Sequence, residues 1–273
     1  MSRLSSQHFI FKDSMGRLLR PSIDLSIRPL RILDSSTADG IYSLHLYSHL
    51  RSIFITKAFI KWNIYKLMHT GFWIRDVAAD CHLAGWPAHE YVGTDIDPSK
   101  FSLQPPAGTS YKVQDMNKPW PEDWQQSFDV VHQRVALASG GPMAKSALQN
   151  LAGLVKPGGW IQLIEAELSI EVATEGTPMW KFLHLLLNIY AFIGLPSRMV
   201  EQIEPWLKEL GFVNIREQTF DFQLGASNEN AKLVENGIFS MNIAVEGLIA
   251  FGLRKSSIAV VRLDPLAILL IPQ

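Results

Sequence analysis

The sequence predicts an α/β protein built around a mostly parallel β-sheet. Three observations support this fold class: short apolar runs recur up to position 165, helical stretches separate them, and most runs end in an acidic or polar residue. Alternating strands and helices are typical of βαβ units, whose strands run parallel. Hydrophobic residues make up 47% of the 273 residues and charged residues 19%, so the chain can bury a sizeable core.

The N-terminal half contains a candidate helix and four candidate strands. Residues 5–19 have the pattern of a short amphipathic helix that ends before Pro21. The first strand runs into a turn of small residues at 35–40, and the helix expected after this turn lies at 72–80. The strands are expected at 30–34, 90–95, 109–115 and 128–132.

The C-terminal half begins with the same alternation and then becomes mainly helical. A helix at 142–154 is expected to stop at Lys-Pro-Gly-Gly, and the most apolar strand, 160–165, follows. Gly211 is a typical residue to close the second of the later helices. The remaining elements are expected to be helices at 178–193, 197–210 and 230–253 and a strand at 212–222.

Charge and composition exclude several classes of protein. The balance of 25 Lys and Arg against 26 Asp and Glu argues against binding a phosphate backbone, but it allows a small-molecule substrate. The single cysteine, Cys81, rules out an internal disulfide framework and a multi-cysteine metal site, and it fits a reducing compartment. No secretory signal or membrane-spanning run is visible, so we expect a cytoplasmic protein without a membrane span.

Polar residues end four of the candidate strands, namely Asp34, Asp95, Asp115 and His132. Open parallel sheets bind ligands at the carboxyl ends of their strands. An acid after the second strand suits a ribose, because a carboxylate accepts hydrogen bonds from both hydroxyls. One such acid alone is usually a helix cap. A succession of polar strand ends favours a nucleotide-like ligand.

Several motifs in order resemble the class I S-adenosylmethionine (SAM) methyltransferases, and above all the fungal methyltransferases of toxin and other secondary-metabolite clusters. The specific motifs are Phe-Asp-Val-Val-His-Gln-Arg at 128–134 and Leu-Val-Lys-Pro-Gly-Gly-Trp at 154–160. Val-Gly-Thr-Asp-Ile-Asp-Pro at 92–98 and Val-Gln-Asp-Met-Asn-Lys-Pro-Trp-Pro at 113–121 accompany them. The resemblance implies a Rossmann-like, doubly wound sheet with a helical lid, SAM as cofactor and no metal.

The resemblance also implies roles for particular residues. The turn after the first strand would face the methionine part of SAM. Asp95 would hold the ribose hydroxyls and Ile96 would lie against the adenine, while Asp115 would accept from the adenine amino group beside Met116. The remaining positions would lie along the methionine part and under the sulfonium, and they are Asp34, Ser36, Ala38, Gly40, His132 and Arg134.

Two of these positions leave alternatives open. The family's turn reads Asp-x-Gly-x-Gly-x-Gly, and here Ser36 and Ala38 replace the first two glycines, so SAM binding is weakened if residue 36 requires a positive φ. His132 is either a general base, since an imidazole titrates near neutral pH, or a residue that only orients the cofactor or the backbone. The acceptor atom is N, O or S.

Residues 41–71 have no counterpart in the family and separate the turn from its helix. They contain no Asp or Glu and are rich in residues with AT-rich codons. Joining Gly40 to Phe72 restores the expected turn and helix, and the genetic code permits splice sites at both ends. We interpret the segment as a translated retained intron; the alternative is a genuine inserted lid helix at 53–67.

The overall prediction is one methyltransferase domain over 1–273, with 41–71 and the tail 254–273 as atypical parts. Residues 258–263 or 267–271 could replace the last strand of the family. The expected partner is a small-molecule natural product of secondary metabolism, without nucleic acid. A nicotinamide-dependent oxidoreductase is disfavoured because the glycine pattern of such enzymes is absent. The rival from another class is a catalytically impaired, methyltransferase-like binding or regulatory protein.

Overall fold

The computed structural model describes residues 3–19, 23–37, 71–196, 198–223 and 228–254. Within them, five strands form one sheet in the order β3-β2-β1-β4-β5, and every neighbouring pair is parallel. The strands are β1 (Arg31–Ser35), β2 (Glu90–Asp95), β3 (Thr109–Val113), β4 (Phe128–Arg134) and β5 (Val155–Ile164). This arrangement confirms the predicted α/β class and parallel sheet.

Six α-helices surround the sheet in the described ranges. They are α1 (Arg3–Met15), α2 (Phe72–Leu83), α3 (Ala144–Ala152), α4 (Pro178–Phe192), α5 (Met199–Glu209) and α6 (Ala231–Arg254). None of them is both long and apolar enough to cross a membrane. Gly211 follows Leu210, the C-cap of α5, and has a φ of 85°, as expected for a residue that closes a helix.

Helices cover both faces of the sheet because residues of the central strand alternate between the faces. Ile32 packs with Trp73 and Val77 of α2, whereas Leu33 packs with Leu151 of α3 on the other face. Side chains along a strand point alternately to opposite faces, so one short strand contributes to both cores. The predicted doubly wound architecture is therefore confirmed.

The predicted lid consists of helices that pack mostly on one another. Leu186 and Ile189 of α4 lie against Leu248 and Phe251 of α6, and α1 also contacts α6. α5 packs on α3 through Trp206 and Leu207. The helical lid is thus present beside the sheet.

The predicted strand at 212–222 is wrong. Phe212 packs against the α3–α5 cluster, while Phe220 and Phe222 pack against Phe11 and Met15 of α1. The alternating apolar side chains are used in packing, and the backbone forms no ladder with β5 or any other described strand. The candidate strands 258–263 and 267–271 lie outside the described residues.

β5 also begins earlier than predicted. Val155 already pairs with Phe128, and Trp160 then pairs with Val130, so the strand has an irregular excursion at 156–159. Gly158 in this excursion has a φ of 78°. The Lys-Pro-Gly-Gly sequence is therefore part of a bulged strand instead of a turn before it.

Candidate functional site

A row of residues crosses the sheet beneath α2. Tyr111, Gly93, Asp34, His132 and Gln162 are partners in register on successive strands. In-register residues of parallel strands point to the same face, so the polar side chains of this row all face α2. A Cβ on Gly93 would lie 2.7 Å from the Tyr111 ring, which shows that Tyr111 lies over this glycine.

Asp34 connects the turn after β1 to the first turn of α2. Its carboxylate accepts hydrogen bonds from the hydroxyl of Thr37 and from the backbone amide of Ile74. The Thr37 amide in turn donates to the carbonyl of Thr94 at 2.8 Å. Burial raises the pKa of the Asp34 carboxyl to about 7, although both hydrogen bonds and the charge of Arg134 act in the opposite direction.

The turn itself is described as far as Thr37, and Ala38 and Gly40 lie outside the described residues. Ser36 has a φ of 55°, the left-handed conformation in which the family's glycine costs less than a serine. Gly71 immediately precedes α2 with a φ of 74°. A Cβ there would lie 2.8 Å from Tyr111 Oη and 3.3 Å from Thr37 Oγ1. A glycine is therefore required directly before α2.

His132 is buried, and its imidazole stacks on the indole of Trp73 at a centroid distance of 3.8 Å. Gln162 Nε2 lies 3.2 Å from His132 Nδ1. Burial lowers the pKa of His132 well below its usual value, and the charge of Arg134 lowers it further. The imidazole lies beneath α2, and its Nε2 is buried without a hydrogen-bond partner among the described residues.

Arg134 ends β4 beneath α1, where it meets a buried histidine. A guanidinium nitrogen of Arg134 donates to His8 Nδ1 at 3.2 Å, and the opposite ring nitrogen of His8 faces Asp76 Oδ2 at 3.1 Å. Because arginine is only a donor, Nδ1 of a neutral His8 must accept and Nε2 must donate to Asp76. Lys12 reaches the same carboxylate oxygen at 2.7 Å.

These contacts fix the protonation of the network. Burial lowers the pKa of His8, which keeps the imidazole neutral beside Arg134. Burial alone would raise the pKa of Asp76, but hydrogen bonds from His8 and Lys12 outweigh it and bring the value to about 2. The network joins α1 and α2 to the end of β4. It therefore positions the Arg134 side chain at the edge of the sheet.

The residues after β2 and β3 form the neighbouring part of the site. Asp95 is buried and accepts from the Asp97 amide, and Asp115 Oδ1 accepts from the Asn117 amide, each at 2.9 Å. Each carboxylate thus stabilises its own loop. Asn117 Oδ1 is buried and has no hydrogen-bond partner in the described ranges. Ile96 is half-buried.

Met116 lies on the face of the sheet away from α2. Gln133 Nε2 contacts Met116 Sδ at 3.5 Å and donates to Ser35 Oγ at 3.2 Å. A Cβ on Gly140, in the turn before α3, would lie 3.3 Å from Asn117 Oδ1. The loops after β3 and β4 therefore meet at the carboxyl edge of the sheet.

The structure brings together most of the predicted positions. The charge of Asp95 contributes to the raised pKa of Asp34, and the charge of Arg134 acts on both Asp34 and His132. Asp115 and Met116 form an adjoining group at the next strand end. No group of three or more His, Cys, Asp or Glu side chains suited to a metal occurs within the part of the chain that the structure describes.

Four residues of this region were not predicted as site residues from the sequence: His8, Asp76, Asn117 and Glu165. Glu165 directly follows β5, so the rule that selected the other polar strand ends would have found it. Asn117 lies two residues after a selected acid and shares its loop. Nothing in the helical patterns distinguishes His8 or Asp76, because their partners are distant in the sequence.

Sequence comparison identifies fungal relatives that each match 85% of this chain. The chain is 31% identical over 233 residues to the N-methyltransferase sirN of Leptosphaeria maculans, covering 85% of this chain and 69% of the relative. It is 28% identical to the N-methyltransferase gliN of Aspergillus fumigatus (85% and 72%). The N-methyltransferase tcpN of Claviceps purpurea is 31% identical (85% and 73%). No family model matches the chain.

Structural comparison gives more distant likenesses. The crystal structure of human N-acetylserotonin methyltransferase in complex with SAM matches 80% of this chain and 52% of that chain, with 17% identity and a TM-score of 0.42. A likeness of this strength identifies no shared site. The sequence relatives are stronger, since they match most of this chain and more than two thirds of their own length. The chain is a methyltransferase and belongs to the fungal family that these relatives represent.

Proposed function

We propose that the chain transfers a methyl group from SAM to a nitrogen atom of a small molecule in fungal secondary metabolism. The observation that carries the SAM assignment is the pair of hydrogen-bond acceptors after β3. Asp115 uses one carboxylate oxygen for its own loop, and the buried Asn117 Oδ1 has no partner among the described residues. Two adjacent acceptors suit an exocyclic amino group such as that of adenine.

The other strand ends fit the remaining parts of the cofactor. Asp95 would hold the ribose hydroxyls next to Ile96, and the turn with Ser36 would approach the amino-acid part. When bound, SAM supplies an electrophilic methyl group. The chain contributes position and electrostatics: Arg134 is held by His8, and α1 covers the strand ends.

The choice of nitrogen among the acceptors rests on the three sequence relatives described above, all of which carry the name N-methyltransferase. Methylation of an N–H nitrogen gives a cationic nitrogen that must release a proton, so a nearby group that takes this proton suits such an acceptor. A substrate that enters beneath α1 and α4 meets mainly apolar and aromatic side chains. A small organic molecule with an N–H group fits these conditions.

Binding of S-adenosylhomocysteine, measured by calorimetry on the full chain, tests the cofactor assignment. We expect Asn117→Ala to weaken binding by about 5- to 30-fold, because one hydrogen bond to the adenine is worth roughly 1–2 kcal/mol. The control is Asn150→Ala on the exposed side of α3, which should leave the affinity unchanged. Equal affinity of Asn117→Ala and wild type for S-adenosylhomocysteine would show that the adenine does not bind at this loop.

The second candidate is the impaired, binding or regulatory protein, and the backbone of Ser36 favours it. A serine with a φ of 55° in a cofactor turn strains the backbone at a place where the family has glycine. The same calorimetry separates the two candidates: an enzyme binds the cofactor product, whereas an impaired protein fails to do so. Ser36→Gly should then restore binding.

We also propose that residues 41–71 are dispensable for the domain. Thr37 and Gly71 lie side by side, as the 3.3 Å between Thr37 Oγ1 and a Cβ at Gly71 shows. Removal of the segment would place Gly40 directly before Phe72, at the position where a glycine is required. This coincidence supports the retained-intron interpretation over an inserted lid helix.

A further inference from the structure

We propose that the carboxylate of Glu165 binds the acceptor nitrogen of the substrate and takes its proton during methyl transfer. The inference rests on the proposed nitrogen methylation. It adds the residue that binds the acceptor nitrogen and takes its proton. Glu165 directly follows β5, while Arg134 ends the neighbouring strand β4. Both therefore lie at the carboxyl edge of the sheet, where ligands bind in folds of this type.

The hydrogen bonds of Glu165 leave half of its carboxylate uncommitted. Oε1 accepts from the backbone amides of Ala136 at 3.1 Å and Leu137 at 2.8 Å. Oε2 makes no hydrogen bond or ion pair within the described ranges, and the residue is half-buried. The two amides fix the orientation of the carboxylate, and Oε2 is available to a ligand.

The backbone that supplies these amides is strained. Val135 has a φ of 48°, a conformation that β-branched residues rarely adopt. Its own amide donates to the Ile164 carbonyl at 2.7 Å, which holds the turn against β5. Strained backbone is commonly retained at functional sites, where the surrounding structure enforces it. Here it directs two consecutive amides at one carboxylate oxygen.

The surroundings of Glu165 suit an amine carried on an apolar or aromatic body. Tyr190 of α4 lies near it, because burial and then the charge of Glu165 raise the pKa of the Tyr190 phenol. Ile164 and Val135 pack with an apolar cluster from α1 and the 220–222 segment. The cluster includes Phe11, Met15, Phe220 and Phe222.

Glu165 differs from the other carboxyl group whose pKa is strongly raised. Burial brings the pKa of Glu165 to about 7, so that near neutral pH the group can be ionised and can still accept a proton. Asp34 has a similar pKa, but it accepts from Thr37 and Ile74 beneath α2. Of the two, Glu165 is therefore the one that can reach a substrate.

The proposed step conserves atoms and charge. The lone pair of the acceptor nitrogen forms a bond to the methyl carbon while the bond from that carbon to the sulfonium sulfur breaks. The electrons of the broken bond pass to sulfur, which becomes a neutral thioether. The N–H proton moves to Glu165 Oε2, and the products are the N-methylated substrate and a neutral carboxyl group that later releases the proton to solvent.

The test uses an amine probe and its neutral counterpart on the full chain. 2-Phenylethylamine and 2-phenylethanol are titrated by protein-observed NMR at about pH 8, where an alkylamine is cationic and Glu165 is ionised. We expect wild type to prefer the amine by about 10-fold or more, as for a charge-assisted hydrogen bond. Glu165→Gln should lose this preference, and Glu167→Gln, an exposed neighbour, should keep it.

Two outcomes would overturn the proposal: no amine preference in wild type, or the same preference in Glu165→Gln. Gln keeps an oxygen that can accept from Ala136 and Leu137, so the variant should fold. Glu165→Asp keeps the charge and should retain part of the preference. S-adenosylhomocysteine binding is measured separately, and Glu165→Gln should remain within about twofold of wild type. If wild type does not bind S-adenosylhomocysteine, the proposed function is contradicted, and the amine result still tests Glu165 independently.

Discussion

The two regions of the site differ in their cover more than in the pairing of their polar groups, because His132 Nε2 and Tyr111 Oη beneath α2 are also buried without a hydrogen-bond partner among the described residues. Beneath α2, Asp34 accepts from Thr37 and Ile74, and His132 lies between Trp73 and Gln162. At the open strand ends, Asn117 and Glu165 each keep an acceptor oxygen without a partner among the described residues. We infer that the first region holds the fold together and the second meets ligands.

The comparison shows why a raised pKa does not by itself identify a reactive carboxyl group. Asp34 and Glu165 both reach a pKa of about 7 through burial. Each carboxylate accepts two hydrogen bonds, but Asp34 is covered by α2, whereas both donors to Glu165 bind Oε1 and the residue is half-buried. Substitutions beneath α2 should therefore change mainly the free energy of unfolding, whereas substitutions at the strand ends should change ligand binding as well.

The largest expected effect is on the pH dependence of stability. The pKa of Asp34 in the folded protein, about 7, lies above the usual aspartate value of 3.8. The native state therefore holds the proton to a higher pH than the unfolded state. The stabilising contribution is full below about pH 4 and is lost as the pH rises to about 7, up to roughly 4 kcal/mol for this group alone.

Asp34→Asn removes this titration and should flatten the stability profile between about pH 4 and 7. Urea unfolding of the full chain at several pH values measures it. Glu165→Gln should flatten the profile in the same direction, since the pKa of Glu165 is also raised. The exposed Asp123→Asn serves as control. An unchanged slope in Asp34→Asn would show that Asp34 is ionised and solvated, contrary to the closed region inferred here.

The second effect concerns the glycine before α2. Gly71 and Gly85 share a positive φ, but a Cβ at Gly71 meets Tyr111 and Thr37, whereas a Cβ at Gly85 meets nothing within 4 Å. Gly71→Ala should cost about 2–4 kcal/mol and Gly85→Ala about 1 kcal/mol. Urea unfolding measures both. Equal costs would mean that Tyr111 moves aside and that this region is less closely packed than Asp34 and His132 indicate.

Sequence reasoning predicted the strands well because each has a local signal. β2 was predicted at its observed bounds, 90–95, since an apolar run ends there in Asp95. The polar row under α2 could not be predicted, because register depends on how distant strands pair. Asp34 and His132 were assigned to a strand edge for this reason, whereas their side chains face α2.

The wrong predictions and the missed residues have the same cause, because both depend on contacts between distant parts of the sequence. The alternation at 212–222 predicted a strand, but a strand requires a partner ladder, and these apolar side chains pack on helices instead. The Arg134–His8–Asp76 network joins three elements that are far apart in the sequence. Glu165, in contrast, was visible as a polar strand end, and only its pairing with the strained turn at Val135 needed the structure.

The smallest expected effect on stability is that of deleting residues 41–71, although this is the largest change to the chain. Deletion of residues 41–71 should leave the free energy of unfolding within about 1 kcal/mol, because Thr37 and Gly71 already lie close together and a shorter loop closes at lower entropic cost. Affinity for S-adenosylhomocysteine should be equal or higher, since the turn then leads directly into α2. Urea unfolding and calorimetry measure the two quantities.

A substitution of Gly40 in the shortened chain tests whether the packing beside Tyr111, beneath α2, still requires a glycine before Phe72. In the shortened chain Gly40 precedes Phe72, so Gly40→Ala should cost the same 2–4 kcal/mol that Gly71→Ala costs in the full chain. In the full chain Gly40→Ala should have a smaller effect, because Gly71 keeps the position beside Tyr111. Loss of cooperative unfolding on deletion would favour a genuine insertion, and sequencing the transcript across the junction would then show the segment retained in the predominant message.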